Sequence, residues 1–172
     1  MYYICVVTNS VETNKYEMGE ILKKRLKMNK HVPAREELSL NLKVASSMLS
    51  NRMDKLIAGY GITGSQYNVL RILKGVYPDG HPRCEIALRM IEIAPDITRL
   101  IDRLEKQGLV IRDRTQQDRR MSITKLTEKG LNLVDEIKPI MDREHKNATK
   151  NLTEEECRKL SYLLEKMYRN SD

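Results

Sequence analysis

Pro95-Asp96-Ile97-Thr98-Arg99-Leu100-Ile101-Asp102-Arg103-Leu104-Glu105-Lys106-Gln107-Gly108 reads as a helix and its stop, and Leu109 to Leu126 reads as a ribbon of strand, tip and strand. Ile97, Leu100, Ile101 and Leu104 recur at i, i+3, i+4 and i+7, which draws a single apolar stripe down one helix face. Thr98, Arg99, Asp102 and Arg103 lie off that stripe and face outward. Pro95 suits the first helical position, where its missing N–H costs nothing, and Asp96 complements the positive end of the helix dipole. Gly108 ends the helix as a left-handed cap would. Leu109-Val110-Ile111 and Met121-Ser122-Ile123-Thr124 are β-prone, and the tip between them is Arg114-Thr115-Gln116-Gln117-Asp118-Arg119-Arg120. A helix with outward Arg and Thr fits a major groove, and a charged ribbon beside it reaches an adjacent groove; together they make a winged helix.

An arginine-bearing helix face is by itself commonly only a solvated surface, and Asp102 and Glu105 dilute its charge. The ribbon tips the balance. Asp118-Arg119-Arg120 places three ionic residues in a row where a plain turn prefers Gly, Asn or Pro.

The 172 residues suffice for one domain, or for one domain with an extension, and the formal net charge of +7 with a pI of about 9.3 suits a polyanionic partner. With no Trp and no Phe, the core is expected to be Leu, Ile, Val, Met and Tyr, and a stacking platform for single-stranded bases is poorly supplied. Cys5, Cys84 and Cys157 are odd in number and lack framework spacing, which points to a reducing, cytoplasmic compartment. No apolar run approaches the ~20 residues of a membrane helix, so no membrane partner is expected.

Residues 1–32 differ from the rest and are expected to form a loosely ordered arm. Met18 and Met28 both suit an initiator, and residues 1–17 are expected to be dispensable. From Pro33 to Ala58 a strong helix is expected, with Leu38, Leu42, Ala45, Leu49, Met53 and Leu56 on one apolar face and Gly59 and Gly61 as its stop. Thr63 and Gln66 form a capping box, Ile62 staples against Tyr67, and the next helix runs to Gly75. A turn-dense loop from Val76 to Pro82, a short helix from Arg83 to Met90 and the Pro95 helix follow. After the ribbon, Thr127 caps a helix in which Gly130 permits close approach and Pro139 bends without ending it; Leu131, Val134, Ile137 and Met141 form its stripe. Leu152 to Cys157 is a second capping box, opening a last helix with Leu160, Leu163, Leu164 and Met167 on one face. The outer helices carry more apolar surface than a small winged helix covers, and a second copy of the chain is the simplest cover, giving a homodimer; packing on each other within one monomer is the alternative.

Thr63-Gly64-Ser65-Gln66-Tyr67 with Val69-Leu70, Leu104-Glu105-Lys106-Gln107-Gly108-Leu109-Val110, Asp118-Arg119-Arg120 and Leu126-Thr127-Glu128-Lys129-Gly130 resemble the MarR (multiple antibiotic resistance regulator) family over roughly Glu36 to Arg169. The resemblance implies a mainly α, homodimeric winged helix–turn–helix transcriptional regulator with a two-stranded β-wing, which binds double-stranded DNA at a palindromic operator. It further implies a repressor of the kind often released by a small aromatic or phenolic effector or by oxidation. Residues 33–170 would be the family domain, with 62–126 reading DNA and 33–58 plus 127–169 supplying the dimerisation helices. Thr98, Arg99 and Arg103 would enter the major groove and Arg120 the minor groove, with Asp118 orienting the tip; Pro95, Asp96, Arg112 and Arg119 complete the expected DNA-binding set. Ala94 departs from the family pattern as a poor cap for the recognition helix.

His81-Pro82-Arg83-Cys84 lacks a second chelating pair and reads as surface loop, so no metal and no cofactor are expected. Cys84 has no clear thiol-activating constellation, and no phosphate loop, catalytic triad or paired catalytic carboxylates appear, which excludes the common enzyme classes. An effector pocket would lie between the dimer helices and the DNA-reading part, lined by Ser46, Tyr60, Tyr67 and Arg71. The competing reading is a helical dimeric scaffold without specific DNA binding, and the Asp118-Arg119-Arg120 tip argues against it.

Overall fold

The computed structural model describes residues 19–29, 32–92, 96–114 and 122–169. Among these, the chain forms α1 (Glu20–Leu26), α2 (Ala34–Ala58), α3 (Gly64–Lys74), β1 (His81–Pro82), α4 (Arg83–Leu88), α5 (Ile97–Lys106), β2 (Val110–Arg114), β3 (Ser122–Leu126), α6 (Glu128–Ala148) and α7 (Glu154–Tyr168). The chain divides into two compact units, Met1–Met48 and Leu49–Asp172, with the boundary inside α2.

In the first unit, the basic stretch from Met18 to Met28, whose composition allows a helix within the arm, contains the helix α1. Its flanking residues, Gly19 at φ +89° and Lys27 at φ +52°, adopt left-handed backbone, and the Lys27 N–H returns to the Lys23 carbonyl. Ile21 is exposed and Leu22 is buried.

The second unit holds the core, made of Ile57, Ile62, Tyr67, Val69, Leu70, Leu73, Ile86, Ile101, Leu104, Leu109, Val110, Leu126, Val134, Ile137 and Met141. Helices α3, α5 and α6 contribute the stripes their spacing dictates. The capping box at the start of α3 is complete: the Thr63 hydroxyl accepts the Gln66 N–H, and the Gln66 side chain accepts the Thr63 N–H at 2.9 Å. Ile62 and Tyr67, on either side of that cap, are both buried. At the end of α2 the core residue is Ile57, 1% exposed, while Leu56, expected on the buried face, is 37% exposed.

The expected two-stranded wing forms from β2 and β3, and β1 adds a third strand, giving the sheet order β1-β3-β2. His81 pairs with Thr124 and Pro82 with Ile123, so the segment read as loop supplies a short antiparallel edge. On the other side, Val110 pairs with Leu126, Arg112 with Thr124 and Arg114 with Ser122. Across antiparallel strands, paired residues share a face, so His81, Thr124 and Arg112 form one row.

Helix α6 opens at Thr127, whose hydroxyl accepts the Gly130 N–H, and it continues past Pro139 to Ala148. Helix α7 opens with the Thr153–Glu156 capping box. No residue of α7 is buried; Leu160, Tyr162, Leu163, Met167 and Tyr168 are 45–62% exposed. Among the described residues, no helix is long and apolar enough to cross a membrane.

Candidate nucleic-acid interface

Helix α5 is described from Ile97 onward. Asp96 is the N-cap, with non-helical backbone at φ −142° and ψ 75°, and its Oδ1 accepts the Arg99 N–H at 3.0 Å. An aspartate at this position satisfies an orphan N–H and faces the positive helix end, so the cap expected to fail at Ala94 is made two residues later. Pro95 lies outside the described residues, as do Asp118, Arg119 and Arg120.

Helix α5 sinks Ile101 and Leu104 into the core, with Ile97 packed against it. That burial turns Arg99 and Arg103 outward: the Arg99 side chain is 78% exposed, with its Nε 3.0 Å from Asp96 Oδ2. Arg103 is exposed and has no side-chain partner among the described residues. Thr98 is half-buried, and its hydroxyl oxygen accepts from Arg83 Nη1 at 3.1 Å. Arg83 is thus a member of the site that sequence reasoning missed; the contact spans 15 residues and depends on how α4 meets α5.

The far end of α5 is fixed by backbone carbonyls. Gln107 Nε2 donates to the Gly61 carbonyl at 2.9 Å, and Lys129 Nζ donates to the Gln107 carbonyl at 2.8 Å. Gly108 follows at φ +71°. The Thr127 hydroxyl donates to the Gly108 carbonyl at 2.8 Å, and the Thr127 N–H reaches the Leu109 carbonyl at 3.1 Å. Gly130 packs so closely there that a Cβ would fall on the Leu109 carbonyl oxygen. The turn that converts helix to wing is therefore clamped from α2–α3 on one side and from α6 on the other.

Arg112 points back to the helix. Its Nη2 bonds Asp102, its Nη1 lies 3.4 Å from Glu105 Oε2, and its backbone N–H donates to Glu105 Oε1 at 3.2 Å. Its side chain is 24% exposed. On the opposite face of the wing root, Lys125 pairs with Asp113 across β2 and β3 at 2.8 Å.

The four residues expected in one effector pocket do not share one. Tyr67 and Arg71 line a concavity of ≈ 190 Å³ between α3 and α6, with Lys74, Val134, Lys138, Met141, Asp142 and His145. Tyr60 lines a separate, more open groove of ≈ 620 Å³ with Gln107, Leu109, Glu128, Asn132 and Glu136 among its walls. Both are lined by the second unit alone, whereas Ser46 is an exposed residue of the first. Burial pushes the Tyr67 phenol above its ordinary pKa, with Arg71 opposing and Asp142 reinforcing the rise. At the rim, Lys138 Nζ donates to Asp142 at 2.6 Å; this bond holds the ammonium up and the carboxyl down, so both stay charged. The described residues contain no group of three or more His, Cys, Asp or Glu able to hold a metal. Cys84 is exposed.

Residues 51–137 match the family model described as transcriptional regulator SarA/Rot. Among curated relatives, the HTH-type transcriptional regulator MhqR of Bacillus subtilis is 27% identical over 135 residues, covering 78% of this chain and 92% of its own. Among solved structures, a MarR transcription factor from Planctomyces limnophilus is 32% identical, with a TM-score of 0.63, covering 79% of this chain and 98% of its own. The S. aureus MepR–DNA complex is 27% identical, with a TM-score of 0.69, covering 76% of this chain and 96% of its own.

Proposed function

The chain belongs to the MarR family of winged-helix, DNA-binding transcription regulators, and from that premise we propose that it is a ligand-responsive repressor that binds a palindromic operator as a homodimer. One observation carries the reading: α5 buries its apolar stripe and is left with Arg99 and Arg103 outward, beside a wing whose root is clamped to the same helix. MepR, a relative of the same fold, is known in complex with DNA. Residues 62–126 form the DNA-reading part in this proposal, and 33–58 with 127–169 the dimerisation helices. Thr98, Arg99 and Arg103 read the major groove; Arg119 and Arg120 at the tip, oriented by Asp118, meet the adjacent minor groove.

The exposed apolar row of Leu160, Leu163 and Met167 on α7 supports the dimer, because a monomer has no use for it in water. The Tyr67–Arg71 concavity supports an aromatic or phenolic effector: its floor is apolar, its phenol is uncharged, and Arg71 sits within reach of an anionic substituent. The test is a mobility-shift assay with the DNA upstream of the chain's own coding region, at two salt concentrations and against scrambled DNA. A specific complex that weakens steeply with salt is expected. Equal affinity for both duplexes would leave only a non-specific DNA binder, and no complex with either would favour the scaffold reading.

A further inference from the structure

Helix α5 carries two carboxylates, Asp102 and Glu105, among the residues that would face DNA. Left alone they set negative charge against a polyanion, which weakens association for every sequence. Arg112 answers both. One guanidinium nitrogen bonds Asp102, the other lies 3.4 Å from Glu105, and the backbone N–H of the same residue donates to Glu105 at 3.2 Å. The register places Arg112 opposite Thr124, which is 2% exposed, so its side chain leaves the wing root on the inner face of the sheet, toward α5. Its 24% exposure contrasts with 78% for Arg99.

We infer that Arg112 is a positioning residue for DNA recognition and not one of the groups that grip DNA. It neutralises Asp102 and Glu105 and ties β2 to α5, so that helix and wing approach the duplex as one body with net positive charge outward. Turning the guanidinium to a phosphate would strand two carboxylates beside that phosphate, so the pairing seen here is also the arrangement that favours binding. The inference rests on α5 and the wing being the DNA-contacting surface.

A charge-compensation cycle tests it. Binding to a random-sequence duplex is measured over a salt series for the wild type, Arg112→Ala, Asp102→Asn/Glu105→Gln, and the triple variant, with thermal melting of each. Arg112→Ala should bind roughly tenfold more weakly, because two carboxylates are unmasked. The triple variant, which has no carboxylates to mask, should recover to within about threefold of the wild type with a similar salt slope. A triple variant as weak as Arg112→Ala, with a log–log slope lower by about 0.9 per protomer, identifies a direct phosphate contact and overturns the inference. So does an Arg112→Ala that binds like the wild type. If Arg112→Ala does not fold, Arg112→Gln replaces it in the cycle, keeping donors and size without the charge, with the same outcomes expected. A wild type that binds no duplex refutes the DNA-binding reading itself, a result separable from either failure above.

Discussion

Arg83 Nη1 donates to the hydroxyl oxygen of Thr98 across 3.1 Å, so the first outward residue of the recognition helix is held by a cation from the helix before it. The arrangement leaves the Thr98 O–H free to donate, and it brings a second positive charge beside the N-terminal end of α5. Arg83→Ala should therefore weaken operator binding by about 0.5–1.5 kcal/mol, the range for one lost hydrogen bond, while Thr98→Val loses the hydroxyl itself. Titration of both variants with specific DNA, and melting curves within about 0.5 kcal/mol of the wild type, would check this. Unchanged affinity of Arg83→Ala would remove α4 from the interface.

The two glycines around the helix-to-wing turn are required for different reasons, and alanine separates them. At Gly108, φ is +71° and nothing lies within 4 Å of the place a methyl would take, so Gly108→Ala should cost only the backbone term of about 1 kcal/mol. At Gly130 the methyl would meet the Leu109 carbonyl oxygen, with Leu126 Cδ1 at 2.8 Å. Gly130→Ala should cost about 1–3 kcal/mol through forced movement of the wing root. Urea unfolding of the two variants side by side is the measurement; a milder effect at Gly130 would refute the assignment.

Arg103 and Arg120 should fail differently. Losing a base-edge arginine costs about 1–3 kcal/mol and relaxes preference at one position of each half-site. Losing a wing arginine should weaken all sequences alike, and in a dimer it should lower the log–log salt slope by up to about two. Binding of Arg103→Ala and Arg120→Ala to specific and scrambled duplexes over a salt series decides. Wild-type affinity of Arg120→Ala for every duplex would take the wing out of the interface.

The chain should sediment as a dimer at micromolar concentration, and Leu163→Glu should shift it toward a 20.0 kDa monomer. Leu163 is 47% exposed on a helix with no buried residue, so a charge there disturbs no core within the chain. Persistent dimerisation of the variant would place the self-association surface elsewhere.

Glu156 makes one cap depend on pH. Its carboxylate accepts the Thr153 N–H at 2.8 Å, and that bond holds its pKa below the ordinary glutamate value. A depressed pKa means the contribution is full above the unfolded value, near 4.3, and is lost as pH falls through the folded value. Melting temperature should thus drop more steeply below about pH 4.5 in the wild type than in Glu156→Gln. Parallel pH profiles would show that the capping box contributes nothing measurable.

The features read correctly from the chain are the local ones. Thr63 with Gln66, Thr127 before Gly130, and Thr153 with Glu156 each act across three residues, so spacing alone specifies them. The stripes of α3, α5 and α6 follow from helical period. What escaped reading depends on tertiary register. His81–Pro82 is a strand only because β3, some forty residues later, supplies its partners. Arg112 reads as one more basic residue of a DNA-binding ribbon until the turn at Gly108 folds it back onto Asp102. Tyr60 and Tyr67 are close in sequence yet open onto different concavities, because the turn at Gly61 lies between them. Asp96 caps α5; its residue type suits an N-cap where Ala94 does not, but Pro95, suited to a first helical position, points to a helix start at Ala94.

The proline in β1 bears on how the molecule behaves when concentrated. Open strand edges recruit further strands and so seed fibrous aggregates. Here one flank of β3 is covered by only two residues, and one of them, Pro82, has no N–H to offer an incoming chain. On β2 the charges of Arg112 and Asp113 are already answered within the chain, by Asp102 and Glu105 and by Lys125, so they set no like-charge barrier to an added strand. Growth by strand addition is thus opposed at the β1 flank, where the short strand offers an incoming chain one N–H fewer.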